Sequence, residues 1–321
     1  MSPAPVSVAR FPLLAAAVAT LVAGLAGCGR GGGDEARVEP PPAARTGDDS
    51  GIAWELVYDL EVEGDADLFV VSASDAAPRR LTEAPGYDGM ARFTPDGERI
   101  IFSSERTGHW QLFEIPAEGG EARRLRTNTA TEYQADPSPD GKTLAFLSNL
   151  DGPERLVLMD FAAGDLRDLV RQGKKSIFGN PSWSPDGGQI TFSSNWRIGH
   201  QIYVADVASG ETRRISPLTG GGCEPRFTRD GRRVCYVSRG HLRKKSRLVA
   251  HDLETGEEEV LVDWPALNYD PAFSPDGSEI AFASNISGEF AIYRQRLSDG
   301  KAWRVTQGPG AARYPDYRPR R

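Results

Sequence analysis

The sequence holds only three cysteines in 321 residues, too few for a disulfide framework to carry a fold of this size. It has no excess of basic charge. Lys and Arg number 38 against 45 Asp and Glu, for a net charge of -7, which excludes the strongly basic signature of a general nucleic-acid binder. No Gly-x-Ser-x-Gly string occurs, so the nucleophile elbow of a serine hydrolase has no candidate, and no phosphate-binding Gly loop is present. What the chain does have is 39% hydrophobic residues, enough for one large core or two ordinary ones. It also has 35 Gly and 23 Pro, the composition of a turn-rich all-β protein.

The one extended apolar run lies near the N-terminus, from Phe11 to Gly24 behind Arg10. It is too short and too Ala-rich for a comfortable membrane span, and small residues follow it, so it reads as a cleavable signal. It ends in Leu25-Ala26-Gly27-Cys28. That string resembles the lipobox of bacterial lipoproteins, which implies a signal peptide over 1–27 and lipidation of Cys28 as the mature N-terminus. Gly29 after the Cys implies the outer membrane if the source is Gram-negative, with the mature chain on the periplasmic side of the envelope. Residues 28–51 carry almost no large apolar side chains and cannot offset their chain entropy by burial. They are expected to be a disordered tether.

From residue 87 onward one string recurs: Phe93-Thr-Pro-Asp-Gly97, Pro137-Ser-Pro-Asp-Gly141, Trp183-Ser-Pro-Asp-Gly187, Phe227-Thr-Arg-Asp-Gly231 and Phe273-Ser-Pro-Asp-Gly277. The aspartates are spaced at 44, 46, 44 and 46 residues. Pro presets φ at the first corner, Asp bonds nearby amides and Gly takes the φ > 0 position, so the string is a hairpin turn and not a catalytic motif. Each turn is followed by an apolar strand (Arg99–Ser103, Gln189–Ser193, Glu279–Ala283), a polar loop, a third strand and a short fourth one. Four strands per unit of about 45 residues predict propeller blades.

The ends supply a sixth blade. Tyr314–Pro319 matches the first strand of a repeat, while Ile52-Ala-Trp54, Asp67–Val70 and Arg80–Thr82 are assigned to its second, third and fourth. The fold expected is all-β, a six-bladed β-propeller over 52–321, closed by pairing of the C-terminal strand with the N-terminal blade. Closure hides sheet edges that would otherwise recruit other chains, and the domain is expected to be complete and monomeric. The recurring Ser/Thr-Pro-Asp-Gly, Ile-Ala-Phe, Ile-Tyr and Arg-Leu-Thr strings are similar to the TolB-type propeller repeat. TolB itself carries a further α/β domain before its propeller; here only the tether precedes it.

In propellers, the loops joining strands 2 and 3 share a face with the channel mouth, where ligands usually bind. Those loops carry His109, Trp110, Trp196, Arg197, His200, His241, Arg243, Lys244 and Lys245 in a basic sector with two Trp expected to be exposed. Opposite lies an acidic stretch, Asp59, Glu61, Glu63, Asp65 and Asp67, expected as a solvated edge. A bipolar face suits an oriented polar partner. The reading is a non-enzymatic, membrane-tethered module for an envelope protein or peptide, with no cofactor. The alternative is a glycan-binding or polysaccharide-degrading propeller, similar to oligogalacturonate lyases, with a metal on His109, His200 and His241. On the first strands, Met90, Gln134, Asn180, Glu224, Asp270 and Tyr314 fall at one level of the channel. Arg92, Asp136, Ser182, Arg226, Ala272 and Asp316 fall two residues on, as a ring of inter-blade ion pairs. Cys223 and Cys235 are offset across their hairpin and read as two small buried residues rather than a disulfide.

Overall fold

A computed structural model describes residues 53–320 apart from 75–76, 172, 174–175, 196–198, 219–220 and 240–244. The signal, Cys28 and the tether lie outside the described residues, as do Trp196, Arg197, His241, Arg243 and Lys244. The described residues contain strands and no helix.

The strands form six four-stranded antiparallel sheets arranged as the blades of one propeller. Blade 1 joins β1 (Glu55–Val62), β2 (Asp65–Ser72) and β3 (Arg79–Arg80) to β24 (Ala311–Tyr317). Blade 2 is β4 (Asp88–Phe93), β5 (Arg99–Ser104), β6 (Gln111–Pro116) and β7 (Arg123–Arg124), and blade 3 is β8 (Glu132–Pro137), β9 (Thr143–Ser148), β10 (Arg155–Asp160) and β11 (Leu166–Val170). Blade 4 follows as β12 (Phe178–Trp183), β13 (Gln189–Ser194), β14 (Gln201–Asp206) and β15 (Thr212–Arg214). Blade 5 is β16 (Gly222–Phe227), β17 (Arg233–Ser238), β18 (Arg247–Asp252) and β19 (Glu258–Val262); blade 6 is β20 (Asn268–Phe273), β21 (Glu279–Ser284), β22 (Ala291–Arg296) and β23 (Ala302–Arg304).

The recurring string is the turn between the first two strands of a blade. In blade 2, Asp96 Oδ1 accepts the Thr94 hydroxyl at 2.6 Å and the Glu98 amide at 2.9 Å, while Gly97 sits at φ 68°. The same contacts recur at Asp140, Asp186, Asp230 and Asp276. These bonds to Ser274 and Ser278, with Arg320 nearby, outweigh the opposing effect of partial burial and hold Asp276 down at about 2.

Between the two middle strands of the blades, aromatic residues meet across the pair. Phe102 faces Phe113, Phe192 faces Tyr203 and Phe282 faces Tyr293, with ring centroids 5.8, 5.5 and 6.2 Å apart. Such pairs combine burial of large apolar area with favourable ring geometry. In blade 1 the pair is Tyr58 and Phe69 at 5.9 Å. This corrects the assignment of Ile52-Ala-Trp54 to the second strand, which lies four residues later and begins at Glu55. The partner aromatics are 11 residues apart in blades 2, 4 and 6, a spacing that Tyr58 and Phe69 keep and Trp54 does not. Trp54 instead lies under the Arg294 guanidinium, 4.2 Å from its Cζ.

β24 closes the ring by pairing antiparallel with β1, Leu56 opposite Tyr317 and Leu60 opposite Ala312. The seam is held by a buried ion pair from blade 6. Arg294 donates through Nε to Glu279 at 3.0 Å and to the Tyr317 hydroxyl at 3.3 Å, and Glu279 is fully buried. Removing one member of such a pair leaves an uncompensated buried charge. Glu279→Ala is therefore expected to destabilise the protein by about 3–5 kcal/mol in urea denaturation, and the double change Glu279→Leu/Arg294→Met to restore most of it. A single-mutant loss under about 1 kcal/mol would place the seam's stability elsewhere.

Candidate functional site at the channel mouth

Each innermost strand carries one residue in the left-handed region: Met90, Gln134, Asn180, Glu224, Asp270 and Tyr314, all with φ between 50° and 55°. They are the six residues predicted to share one level. At each, the register against the second strand shifts by one residue, so a bulge leaves a backbone amide without a ladder partner. Non-glycine residues hold this conformation at a cost of roughly 1–3 kcal/mol unless the surroundings fix it. At five of the six, all but Glu224, the neighbouring blade fixes it by accepting the stray amide. Met90 N donates to Asp59 at 3.2 Å and Gln134 N to Ser103 Oγ at 3.0 Å. Asn180 N donates to Gln134 Oε1 at 2.8 Å, Asp270 N to Glu224 Oε2 at 2.7 Å and Tyr314 N to Asp270 Oδ2 at 3.3 Å.

Two residues further along, the predicted ion-pair ring is present. Asp136 lies 3.1 Å from Arg226 and 3.7 Å from Arg92, and Arg226 lies 3.9 Å from Asp316. Asp136 and Asp316 also accept the amides of Trp183 and Phe93 on the next blade. This inner ring is structural. The outer ring lies on the side of the strand 2–3 loops and forms the candidate site.

One side of that mouth is aromatic. Trp110 packs between Tyr87, 5.3 Å away edge-on, and Tyr133 at 6.4 Å, over Met90 and Tyr314. Trp110 was expected to be exposed and is only 4% so, because at the root of β6 it turns into the channel instead of outward. Tyr87 donates to Asp59 at 2.9 Å, and Tyr133 to Glu154, which also accepts the Phe178 amide at 2.8 Å. Gly89 makes the Tyr87–Asp59 contact possible, since a Cβ there would lie 2.4 Å from Tyr87 Cε1.

The opposite side is ionic. Arg313 donates through Nε to Asp270 and lies 3.7 Å from Glu224, with its guanidinium 5.2 Å from the Tyr269 ring centroid. Arg239 lies over the same ring at 5.4 Å. Burial, reinforced by the Asp270 carboxylate, pushes Glu224 well above the usual carboxylate range. Burial pushes Asp59 up to about 7. Desolvation and the Arg239 charge hold the His200 imidazole below its ordinary value. Cys223 and Cys235 are free, and burial pushes both thiols up.

The acidic stretch is a solvated edge only at its tip, where Glu61 and Glu63 are exposed. β1 and β2 run through it to a tight turn at Glu63-Gly64, and Asp59 and Asp67, set back from that turn toward the body of the blade, are 1% and 5% exposed. Asp67 takes Arg80 and Thr82. The basic sector is partly neutralised in place. Lys245 lies 3.8 Å and Arg247 2.8 Å from Asp263, and Arg171 pairs with Asp168. His109 is half-buried in the blade 2 loop, its Nε2 without a hydrogen-bond partner among the described residues, and His200 is exposed in the blade 4 loop. Among the described residues no group of three or more His, Cys, Asp or Glu is placed to hold a metal ion. Arg313 and Tyr87 were not anticipated, while Arg239 and Glu154 end strand 2–3 loops expected on this face (Arg239–Arg247 and Asn149–Glu154) but were not singled out. Arg239 meets the ring by fold only, Arg313 directly precedes the ring residue Tyr314, and nothing in the repeat marks either.

These features define a six-bladed propeller with an elaborated mouth. The profile of the TolB beta propeller domain family matches residues 51–174, 136–240 and 222–320, and the chain belongs to that family. It is 27% identical to dipeptidyl-peptidase 5 of Porphyromonas gingivalis over 175 residues, 46% of this chain and 26% of that protein. It is 30% identical to the Tol-Pal system protein TolB of Francisella tularensis over 87 residues, 27% of this chain and 20% of that one. The chain thus matches about a quarter of the length of these curated relatives or less. TolB from Acinetobacter baumannii superimposes with a TM-score of 0.73 at 18% identity, covering 83% of this chain and 67% of that one. An oligogalacturonate lyase in complex with manganese does so at 0.53 and 16%, covering 79% and 73%.

The raised Asp59 has a consequence for stability. A folded pKa near 7 against about 3.9 unfolded means that the native state binds the extra proton between those values, so stability falls as pH rises through this window. Asp59→Asn is expected to flatten the stability decline between pH 5 and 8, measured by urea midpoints. An unchanged slope would show that Asp59 is ionised throughout.

Proposed function

We propose that this protein is a non-enzymatic, lipid-tethered propeller of the bacterial envelope that binds a protein or peptide partner through the strand 2–3 loop face. The observation that carries this reading is the mouth itself. It combines an aromatic wall (Tyr87, Trp110, Tyr133) with charged side chains whose buried atoms, Asp270 Oδ1 and Arg239 Nε and Nη2, have no hydrogen-bond partner among the described residues. Aromatic surface beside unspent polar groups is the composition of recognition sites. His109, His200 and Lys245 stand on the loops around it, with Trp196, Arg197, His241, Arg243 and Lys244 next to them in sequence. The Tol-Pal name of one relative supports an envelope setting. The lipobox string ending at Cys28 supports a lipid anchor on the periplasmic side, at the outer membrane in a Gram-negative cell.

The second reading, a glycan-binding or polysaccharide-degrading propeller with a His-held metal, draws on the likeness to the oligogalacturonate lyase. Elemental analysis of purified protein, with assays on acidic oligosaccharides with and without added divalent ion, separates the two. The first reading expects neither bound ion nor turnover.

Two experiments test the proposal. Cys28→Ser is expected to abolish incorporation of labelled fatty acid and to release the protein from membranes; retained label and membrane association would reject the anchor. In pull-downs from envelope extracts, a partner recovered with the wild-type chain is expected to be lost with Trp196→Ala/Arg243→Ala/Lys244→Ala. It should be retained with Lys142→Ala/Arg232→Ala on the Pro-Asp-Gly turn face. The reverse pattern would sink the face assignment.

A further inference from the structure

Building on the loop face as a peptide-binding surface, we propose that the blade 5 and blade 6 side of the mouth is a carboxylate subsite. There Arg239 receives the free C-terminal carboxylate of the partner peptide, and Asp270 Oδ1 accepts its last backbone N–H.

The two guanidinium groups on the Tyr269 ring are in different positions. Arg313 is committed within the fold, to Asp270 Oδ2 and toward Glu224. Arg239, just beyond the end of β17, lies beside the Cys223 sulfur and has Nε and Nη2 buried and without an acceptor among the described residues. Leaving a buried donor unmet costs about 1–3 kcal/mol, more when it is charged, so native proteins seldom do so without a use for it. Asp270 is 5% exposed. Its Oδ2 holds Arg313 and the Tyr314 amide and its carboxylate faces the Glu224 carboxyl, while Oδ1 has no donor among the described residues. An unmet fork of donors and an unmet acceptor thus border one ring, carried by residues adjacent in sequence to it or stacked on it.

A peptide C-terminus presents the complement: a planar carboxylate that matches the guanidinium fork, preceded by one N–H donor. An acidic side chain offers the carboxylate without a donor at fixed distance. The local charge agrees. Burial, reinforced by Asp270, raises Glu224 well above the usual carboxylate range, burial raises Asp59 to about 7, and desolvation together with Arg239 holds His200 below its ordinary value. Carboxyls raised in this way carry less negative charge than ordinary ones, which favours an incoming carboxylate beside Arg239 and Arg313. The ring of inter-blade bonds fixes Asp270 before any ligand arrives, so little ordering is required on binding.

The test is calorimetric titration of the full chain in detergent with N-acetyl-Gly-Ala-Leu bearing a free carboxyl, with its C-terminal amide, and with digalacturonate. The expected result is that the acid binds at least about tenfold tighter than the amide. Arg239→Gln should reduce the acid to the level of the amide, and Arg239→Lys, which keeps charge but loses the fork, should fall between them. Arg167→Gln, on an exposed outer strand, should leave the preference intact. Equal affinity for acid and amide, or an acid preference that survives Arg239→Gln, would overturn the subsite. Digalacturonate binding tighter than the peptide acid would overturn the choice of a peptide. If the acid preference holds while no partner is recovered from envelope extracts, the subsite stands and the partner reading falls.

Discussion

The structure depends on a backbone strain repeated six times. Every innermost strand places one residue in the left-handed region, and five of the six placements turn an amide out of its own sheet to an acceptor on the adjoining blade. Hydrophobic packing between blades is non-directional and could accept small rotations of one blade against the next. A hydrogen bond from a strained amide to a side chain of the neighbouring blade cannot, so it fixes the angle between blades and the diameter of the mouth.

The acceptor comes from one of two places. At Asp59 and Ser103 an oxygen on the second strand of the preceding blade takes the amide directly, whereas Ser193, at the same position of blade 4, donates to Gly179 O at 3.2 Å. Where that position is apolar (Leu147, Val237, Ala283), the left-handed residue of the preceding blade supplies the oxygen from its own side chain: Gln134, Glu224 and Asp270. This second solution places carboxyl groups at the mouth of blades 5 and 6, and the first leaves room for the Met90, Trp110 and Tyr314 cluster opposite. The two-sided character of the site follows from which solution each blade adopts.

Much of the fold was legible in the sequence because its signals are local and repeated. The turn string fixes a hairpin wherever it occurs, and its period fixes the blade. The channel rings could also be read, since residues at the same offset from the same turn must share a level. The site was legible only in part. Asp59 and Asp67 sit in a run of acids that reads as solvated, yet the hairpin continues through it and these two lie far enough from its tip to be covered, Asp59 by Tyr87 and Asp67 by Arg80 and Thr82. Trp110 reads as a loop residue, and its burial depends on Tyr87 and Tyr133 from neighbouring strands. Arg239 and Arg313 gain their role from stacking on one Tyr269 ring, a contact across three elements that no spacing within a repeat reveals. The misplacement of the first strand has a simpler origin: two aromatic triplets fit the pattern, and only the 11-residue spacing to the partner aromatic distinguishes them.

The account is tested most directly by amide hydrogen exchange at Met90, Gln134, Asn180, Asp270 and Tyr314. If inter-blade hydrogen bonds hold these strained residues, their amides exchange only through global unfolding and rank with the slowest in the protein, alongside Phe102 and Phe282 in the blade centres. Exchange at rates typical of the surface loops would contradict it, showing that the left-handed positions open independently and that packing alone sets the geometry of the mouth.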